Sequence, residues 1–600
     1  MRSAERVLMA IRARGSRGLP LERVYRLLYN RELYLVAYGR IARNAGAMTR
    51  GSTPETVDGM TLAKIDAIIA ALRQERYRWR PARRVYIAKK GAKKQRPLGL
   101  PTWSDKLLQE VLRLILEAYY EPQFSDHSHG FRPGRGCHTA LRTIQRAWTG
   151  TAWFIEGDIK GCFDGIGHAE LLAILAERIH DGRFLRLIAA LLQAGYLEDW
   201  TYHATLSGSP QGGVVSPVLS NIYLDRLDQF VANTLLPRYN RKAARRLNPA
   251  YNHVSGRAKY LAKTGRTVEA ARLRKLRRTL PSVDPHDPDY RRLRYVRYAD
   301  DWLLGFCGPR AEAEAIKRDL KAFLRDTLTL ELSEAKTLIT HARTQSARFL
   351  GYEVAVLQHD HLCDRTGRRA TNGSVGLKVP ADVVHAKCRH YQRHGKPAHR
   401  TERIFDTDFS IIAQYQQEFR GLVEYYRLAY NLSPRFSRLK YVMEQSLTKT
   451  LARKYRTGVP KIYDRYQTLL ATPDGPRKGL RVTVEREGKR PLVAEWGGIA
   501  LRRRPDAVLD ERPPRVWNAR TELVTRLLAD TCELCGSTDG VQVHHIRRLA
   551  DLRQNGRATP PAWVQKMASR RRKTLVVCHR CHTAIHAGRI DGSHATNGSH

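Results

Sequence analysis

Three places in the chain gather side chains capable of chemistry. Tyr298-Ala299-Asp300-Asp301 sets two carboxylates side by side between apolar segments, and the short apolar run from Trp153 to Gly157 leads into a third, Asp158. Like charges raise each other's pKa, so adjacent acids at a tight turn call for a cation. Two divalent ions held by such carboxylates would activate a 3′-hydroxyl and stabilise a leaving pyrophosphate. Mg²⁺ suits that task because it takes hard oxygen ligands and keeps positions for phosphates. The third place is C-terminal, where Cys532-Glu-Leu-Cys535 and Cys578-His-Arg-Cys581 form two thiolate pairs. Their spacing suits one tetrahedral Cys₄ zinc, and the cysteines alone fit a purely structural knuckle.

Periodicity indicates the elements that must position these groups. The run through Asp158 reads as a short buried strand, and Tyr295–Leu304 as a hairpin with its acids at the turn. Asp105–Tyr120 reads as a helix whose single apolar stripe (Leu107, Leu108, Val111, Leu112, Ile115) supports the site. Arg84–Ala88 alternates like a strand and runs into Lys89, Lys90, Lys93, Lys94 and Arg96, a hairpin suited to phosphates or to plain solvation. Residues 1–75 form a helical extension. From Asp408 to Tyr455 a helical block interleaves Tyr415, Tyr425, Tyr426, Tyr430 and Tyr441 with Arg435 and Arg438, a pattern fitting either stacking on nucleic acid or a core. The Pro-, Gly- and Arg-rich stretch 471–530 reads as a basic linker or DNA-binding region, and 591–600 as a disordered tail.

Composition narrows the partner. Among 600 residues, 105 Lys/Arg oppose 58 Asp/Glu for a net charge of +47. The excess is spread along the chain and is densest in a basic, mostly helical insertion over 238–294, which favours a long polyanion. No stretch approaches the ~18 apolar residues that a spanning helix needs, so no membrane is expected. Five cysteines (Cys137, Cys162, Cys307, Cys363, Cys388) stand alone, which fits a reducing compartment. Met1–Arg17 is rich in Arg but lacks an apolar core or a cleavage site, so no secretory signal is expected; Arg content leaves a transit peptide open.

The motifs also have a telling order. Asp158-Ile-Lys-Gly-Cys-Phe163, Ser209-Pro-Gln-Gly212, Tyr298-Ala-Asp-Asp301 and Phe349-Leu-Gly-Tyr352 follow the sequence order of reverse transcriptases. With Arg96–Pro101, His129–Gly136, Pro217–Ile222 and Glu334–Thr337 added, the chain most closely resembles the group II intron-encoded reverse transcriptase/maturases. The resemblance implies that Asp158, Asp300 and Asp301 hold two Mg²⁺ ions and that Tyr298 lies beside the primer terminus. Phe163 stands where the family has an aromatic gate that excludes a 2′-hydroxyl. Lys90 and Arg96 would hold the incoming dNTP triphosphate, Gln211 and Gly212 would border its base and sugar, and Lys336 would protonate the leaving pyrophosphate.

Val543-His-His-Ile546 and His582-Thr-Ala-Ile-His586 resemble the HNH nuclease motif. The resemblance implies that His544, His582 and His586 share one divalent metal, with His545 as general base and Cys532, Cys535, Cys578 and Cys581 on a structural Zn²⁺. Lys573-Thr574 stand where that motif has an Asn fixing the loop of the base.

The implied fold is α+β and multidomain. Right-hand polymerase fingers and palm, an antiparallel sheet with helices, occupy 76–360. A helical thumb/maturase domain follows over 375–470 and a small ββα-metal HNH domain over 531–590. The implied function is to bind a group II intron RNA, assist its splicing, nick target DNA and reverse transcribe the intron, in the bacterial cytoplasm near the nucleoid or in an organelle. The alternatives are a splicing-only maturase or RNA chaperone, and a domesticated reverse transcriptase with an inactive nuclease.

Overall fold

The computed structural model describes residues 3–88, 95–199, 201–205, 207–208, 212–284, 287–359, 371–509, 521–552, 560–570 and 572–588. Lys90, Gln211, Cys363 and the 591–600 tail lie outside them.

A four-stranded antiparallel sheet organises the middle of the chain, in the order Ile339–His341, Trp153–Gly157, Asp301–Cys307, Arg292–Tyr298. Successive side chains on a strand point to opposite faces. Here both faces are covered, and the two inner strands read as mostly apolar runs. Ile155, Tyr295 and Leu304 enter one hydrophobic core, while their neighbours Phe154, Val296 and Leu303 enter another. The sheet is thus a wall between two cores.

The first core contains the N-terminal helices Ala4–Ser16, Arg31–Ile41 and Leu62–Arg73 and the helix Trp103–Tyr120. The single stripe expected on that last helix is corrected by the structure. It is buried nearly all round, with Asp105, Gln109, Glu110 and Glu117 inside. Arg113, three and four residues from Glu110 and Glu117, pairs with both, which is how two buried acids are tolerated.

The second core holds the helices Asp408–Tyr425 and Leu432–Lys454. The expectation of a linker beginning at 471 is also corrected. Gln467–Leu470, Arg477–Arg486 and Lys489–Gly497 form an antiparallel sheet whose Trp496 is fully buried and donates its indole N–H to Glu444 at 3.0 Å. One buried aromatic on a strand anchors the segment despite its basic composition. The tyrosines of the helical block divide: Tyr415 and Tyr426 are core, and Tyr441 is exposed.

Two further parts bear on function. Ala82–Ala88 and Gln95–Leu100 pair as the expected basic hairpin. The insertion contains helices Pro249–Lys263 and Thr267–Arg277, which bury only Ala258, Leu261 and Ala270, so its cations face solvent. No helix among the described residues is long and apolar enough to cross a membrane.

Candidate active sites

The acids of the central sheet are placed by backbone register. Tyr298 pairs with Asp301 across a two-residue turn, and Gly157 pairs with Trp302, so Asp158 leaves its strand at the same sheet end. Ala299 takes a left-handed conformation (φ 56°), and Gly130 packs on it so closely that a Cβ there would stand 2.2 Å from the Ala299 nitrogen. A side chain at position 130 would therefore push the turn away.

Behind the turn sits Arg297, fully buried and ion-paired to the equally buried Asp228 at 2.6 Å. Its guanidinium also donates to the Ala299 carbonyl (2.8 Å) and to Ser128 Oγ (2.9 Å). Removing one partner of such a pair costs roughly 3–5 kcal/mol. The sequence does not single out Arg297, which is one of three arginines on the strand Arg292–Tyr298.

Lys336 Nζ meets Asp158 Oδ2 at 2.7 Å, delivered by a segment whose Ser333 N–H donates to the Asp158 carbonyl. That bond raises the Lys336 pKa and keeps the ammonium charged, with Asp301 and Asp300 adding to the effect. Burial raises the pKa of Asp300, and the negative charge of Asp158 adds to it against Arg96 and Arg297. Asp158, Asp300, Asp301, Lys336 and Arg96 therefore share one electrostatic environment. Among the described residues two groups bring all their donor atoms within 4.8 Å of one another, and the three carboxylates are not one of them. Hard oxygens with mutual repulsion at a partly open sheet end fit a divalent cation.

Gly212, Phe163 and Tyr298 are the other nominated polymerase residues that lie among the described ones. A Cβ on Gly212 (φ 102°) would meet the Gly99 carbonyl of the basic hairpin at 2.5 Å, so this loop abuts the strand carrying Arg96. Phe163 lies half-buried in the turn Cys162–Gly165, to which Ser207 Oγ is tied through the Asp164 carbonyl at 3.0 Å. Tyr298 is partly buried against the second core.

At the C-terminal end, Gln542–His545 and Thr574–Val577 pair antiparallel and the helix His579–His586 follows. Cys532, Cys535, Cys578 and Cys581 bring their sulfurs within 4.8 Å of one another, with Cys535 and Cys578 3.7 Å apart. That equals the edge of a tetrahedron with Zn–S bonds of about 2.3 Å. Burial opposes a thiolate at Cys532, but backbone N–H groups of Cys535, Cys578 and Leu534 bring its pKa down to about 7.

His544, His582 and His586 also converge, with His582 Nε2 3.1 Å from His544 Nδ1 and 3.2 Å from His586 Nε2. A residue absent from the sequence reading joins them. Asp58, from the N-terminal lobe, places its carboxylate 3.1 Å from His582 and 2.9 Å from His586. Burial disfavours the charge on Asp58, yet hydrogen bonds from His544, His582 and the His545 N–H outweigh it and hold the pKa far below the usual carboxylate range. No local motif around Asp58 announces this role.

His545 is 6% exposed, and its Nε2 lies 3.0 Å from the Tyr38 hydroxyl, again from the N-terminal lobe. Burial brings its pKa down to about 3 against the pull of Asp58. At Thr574, beside Lys573, Arg526 donates to the Thr574 Oγ1 (3.2 Å) and to its carbonyl (3.1 Å). The Lys573 carbonyl accepts from the Ile546 N–H at 3.0 Å. A cleft of about 1200 Å³ opens beside His545, and Arg43, Arg547, Arg570, Arg572 and Lys573 line it. Such a cationic channel fits a phosphodiester backbone.

Three protein-family models match the chain: reverse transcriptase (RNA-dependent DNA polymerase) over residues 87–354, type II intron maturase over 383–476, and AI2M/AI1M-like HNH endonuclease over 532–582. The chain is 39% identical over 584 residues to the group II intron-encoded protein LtrA of Lactococcus lactis subsp. cremoris, covering 94% of this chain and 95% of that one. It is 32% identical to an uncharacterised 91 kDa protein in the cob intron of Schizosaccharomyces pombe, over 94% of this chain and 69% of the relative. It is also 33% identical to protein YkfC of Escherichia coli K12, over 56% of this chain and 84% of the relative.

Proposed function

Because the chain belongs to the group II intron-encoded proteins and carries reverse transcriptase, maturase and HNH endonuclease domains, we propose that it works as one retroelement enzyme. It binds its intron RNA, assists splicing, nicks target DNA in the basic cleft beside His545, and extends the nicked end into cDNA. The organisation that goes with this reading is fingers and palm over 76–360, thumb and maturase over 375–470, and the nuclease over 531–590.

The observation that carries the polymerase assignment is the shared environment of Asp158, Asp300, Asp301 and Lys336 at one sheet end. The three acids hold Mg²⁺, which when bound supplies Lewis acidity to the primer hydroxyl and to the leaving pyrophosphate. Lys336 Nζ, kept protonated by Asp158, is the proton source for that leaving group. Arg96 grips the triphosphate of a dNTP with Lys90, its fork suited to paired phosphate oxygens. Phe163 closes the space under the sugar, Gln211 and Gly212 border the base, and Tyr298 supports the primer end.

In the nuclease, His545 removes the proton from the attacking water. Its Nε2 is engaged by the Tyr38 hydroxyl, and in the tautomer that carries the proton on Nε2 the basic nitrogen is Nδ1, since the bond made by one ring nitrogen sets the state of the other. His544, His582 and His586 hold the divalent metal, and the four cysteines hold zinc.

The test incubates the full chain with the RNA flanking its reading frame and a matching DNA target, scoring splicing, nicking and cDNA together. All three are expected. Splicing alone would leave a maturase, and cDNA without a nick would leave a reverse transcriptase with an inactive nuclease.

A further inference from the structure

The histidine motif supplies three donors to the nuclease metal, yet the centre contains four. His544 Nδ1, His582 Nε2, His586 Nε2 and the Asp58 carboxylate all lie within 4.8 Å of one another. Their neighbouring separations are 2.9 Å (Asp58–His586), 3.1 Å (Asp58–His582), 3.1 Å (His544–His582), 3.2 Å (His582–His586) and 3.5 Å (Asp58–His544). A tetrahedron with metal–nitrogen bonds of about 2.0–2.1 Å has edges of about 3.3–3.4 Å.

Hydrogen bonding alone does not account for the arrangement. A ring nitrogen that carries a proton donates it to one acceptor, yet His582 Nε2 faces two imidazole nitrogens and a carboxylate. Whichever it serves, lone pairs or like charges remain face to face at 3 Å. One cation in the middle satisfies all four.

The placement of Asp58 is built into the backbone. Gly59 N–H donates to the Val543 carbonyl at 2.9 Å and Val543 N–H to the Met60 carbonyl at 3.0 Å, so residues 58–60 lie along the Gln542–His545 strand. Met60 and Val57 are fully buried, and Asp58 also accepts the His545 N–H at 2.7 Å. The same carboxylate thus touches the metal donors and the segment that carries the base. His586, with its side chain 55% exposed, opens the centre to solvent, and Asp58 keeps 15% of its side chain accessible.

We propose that Asp58 is a fourth protein ligand of the nuclease metal, so that the metal is captured only when the N-terminal lobe is seated on the C-terminal module. This rests on the nuclease reading above and adds the ligand that its motif lacks. A mixed Asp/His₃ donor set suits Zn²⁺, Co²⁺ or Mn²⁺.

The test titrates Co²⁺ into the full-length chain with its Cys₄ site kept zinc-loaded, following the visible ligand-field absorption of the imidazole-bound ion. In Asp58→Asn, whose carbonyl still accepts the His545 N–H, cobalt affinity is expected to fall about 10- to 100-fold with an altered spectrum. His582→Ala is expected to lose the band, and both are expected to copy RNA normally, which shows that they fold. A band lost in His582→Ala but unchanged in Asp58→Asn overturns the role of Asp58 alone, whereas a band unaltered in His582→Ala sinks the histidine centre itself. A variant-free measurement stands beside this: in the unmodified chain, Co²⁺ is expected to slow amide exchange at residues 57–60 together with 582–586. Slowing confined to 582–586 overturns the proposal.

Discussion

The polymerase acids and the nuclease histidines solve the problem of assembling a charged centre in different ways. Asp158, Asp300 and Asp301 come from adjacent strands of one sheet, with Lys336 brought in by the connection to the edge strand. Their carboxylates stay apart, balanced by Lys336 and Arg96, and the geometry is held from behind by the buried Arg297. The histidine centre is the reverse. Its donor atoms are already gathered, but it borrows Asp58 and Tyr38 from a lobe at the other end of the chain. A sheet end can hold like charges ready by register alone; a small ββα unit needs an outside wall to complete its shell.

The contrast can be broken by perturbing one centre and reading both. The largest effect is expected from Asp300→Ala, which should lower Mg²⁺-dependent cDNA synthesis by on the order of 10³-fold while leaving RNA binding and nicking intact. Residual synthesis near the parent rate would remove Asp300 from the site. Next, His545→Ala should slow nicking about 10²-fold or more, leaving cDNA synthesis and the Cys₄ zinc unchanged. Nicking at full speed would mean that another residue is the base.

A third effect is read in stability. His129, buried beside the turn of the acids, has its pKa brought down to about 3, first by burial and then by Arg135 and Arg132. The unfolded chain takes up that proton near pH 6.5 and the folded chain does not, so stability falls as pH drops below 6.5. The slope of about 1.4 kcal/mol per pH unit gives roughly 2 kcal/mol between pH 6.5 and pH 5. His129→Asn should flatten that part of the denaturant-midpoint profile; an unchanged profile would show that His129 takes up its proton as readily in the fold as in the unfolded chain. The smallest effect is expected from Tyr38→Phe, a few-fold loss of nicking with no change in cDNA synthesis. Equal losses in both would indicate a general loosening of the lobe instead of the release of His545.

The polymerase acids were legible because a two-residue turn brings Asp300 and Asp301 to the sheet end regardless of what surrounds them. The cysteine pairs were legible for the same reason: their spacing is local. Asp58 and Tyr38 were not, because neither sits in a pattern and their roles arise from contacts between distant segments, the Met60–Val543 bridge for Asp58 and the packing of the helix Arg31–Ile41 for Tyr38. The helix Trp103–Tyr120 misled through its polar residues, which Arg113 neutralises inside the core. Residues beyond 471 misled through composition, since Trp496 outweighs the surrounding cations. The hold of Arg526 on Thr574 is a contact visible only in three dimensions.

The distance between Asp58 and the histidines also sets an order in time. His582 follows Asp58 by 524 positions, so a ribosome must add more than five hundred residues after Asp58 before the two can meet. A nascent or prematurely terminated polypeptide can fold its copying centre while its cutting centre still lacks the second half. On the reading proposed above, cutting is withheld from any product of translation that stops short of His582.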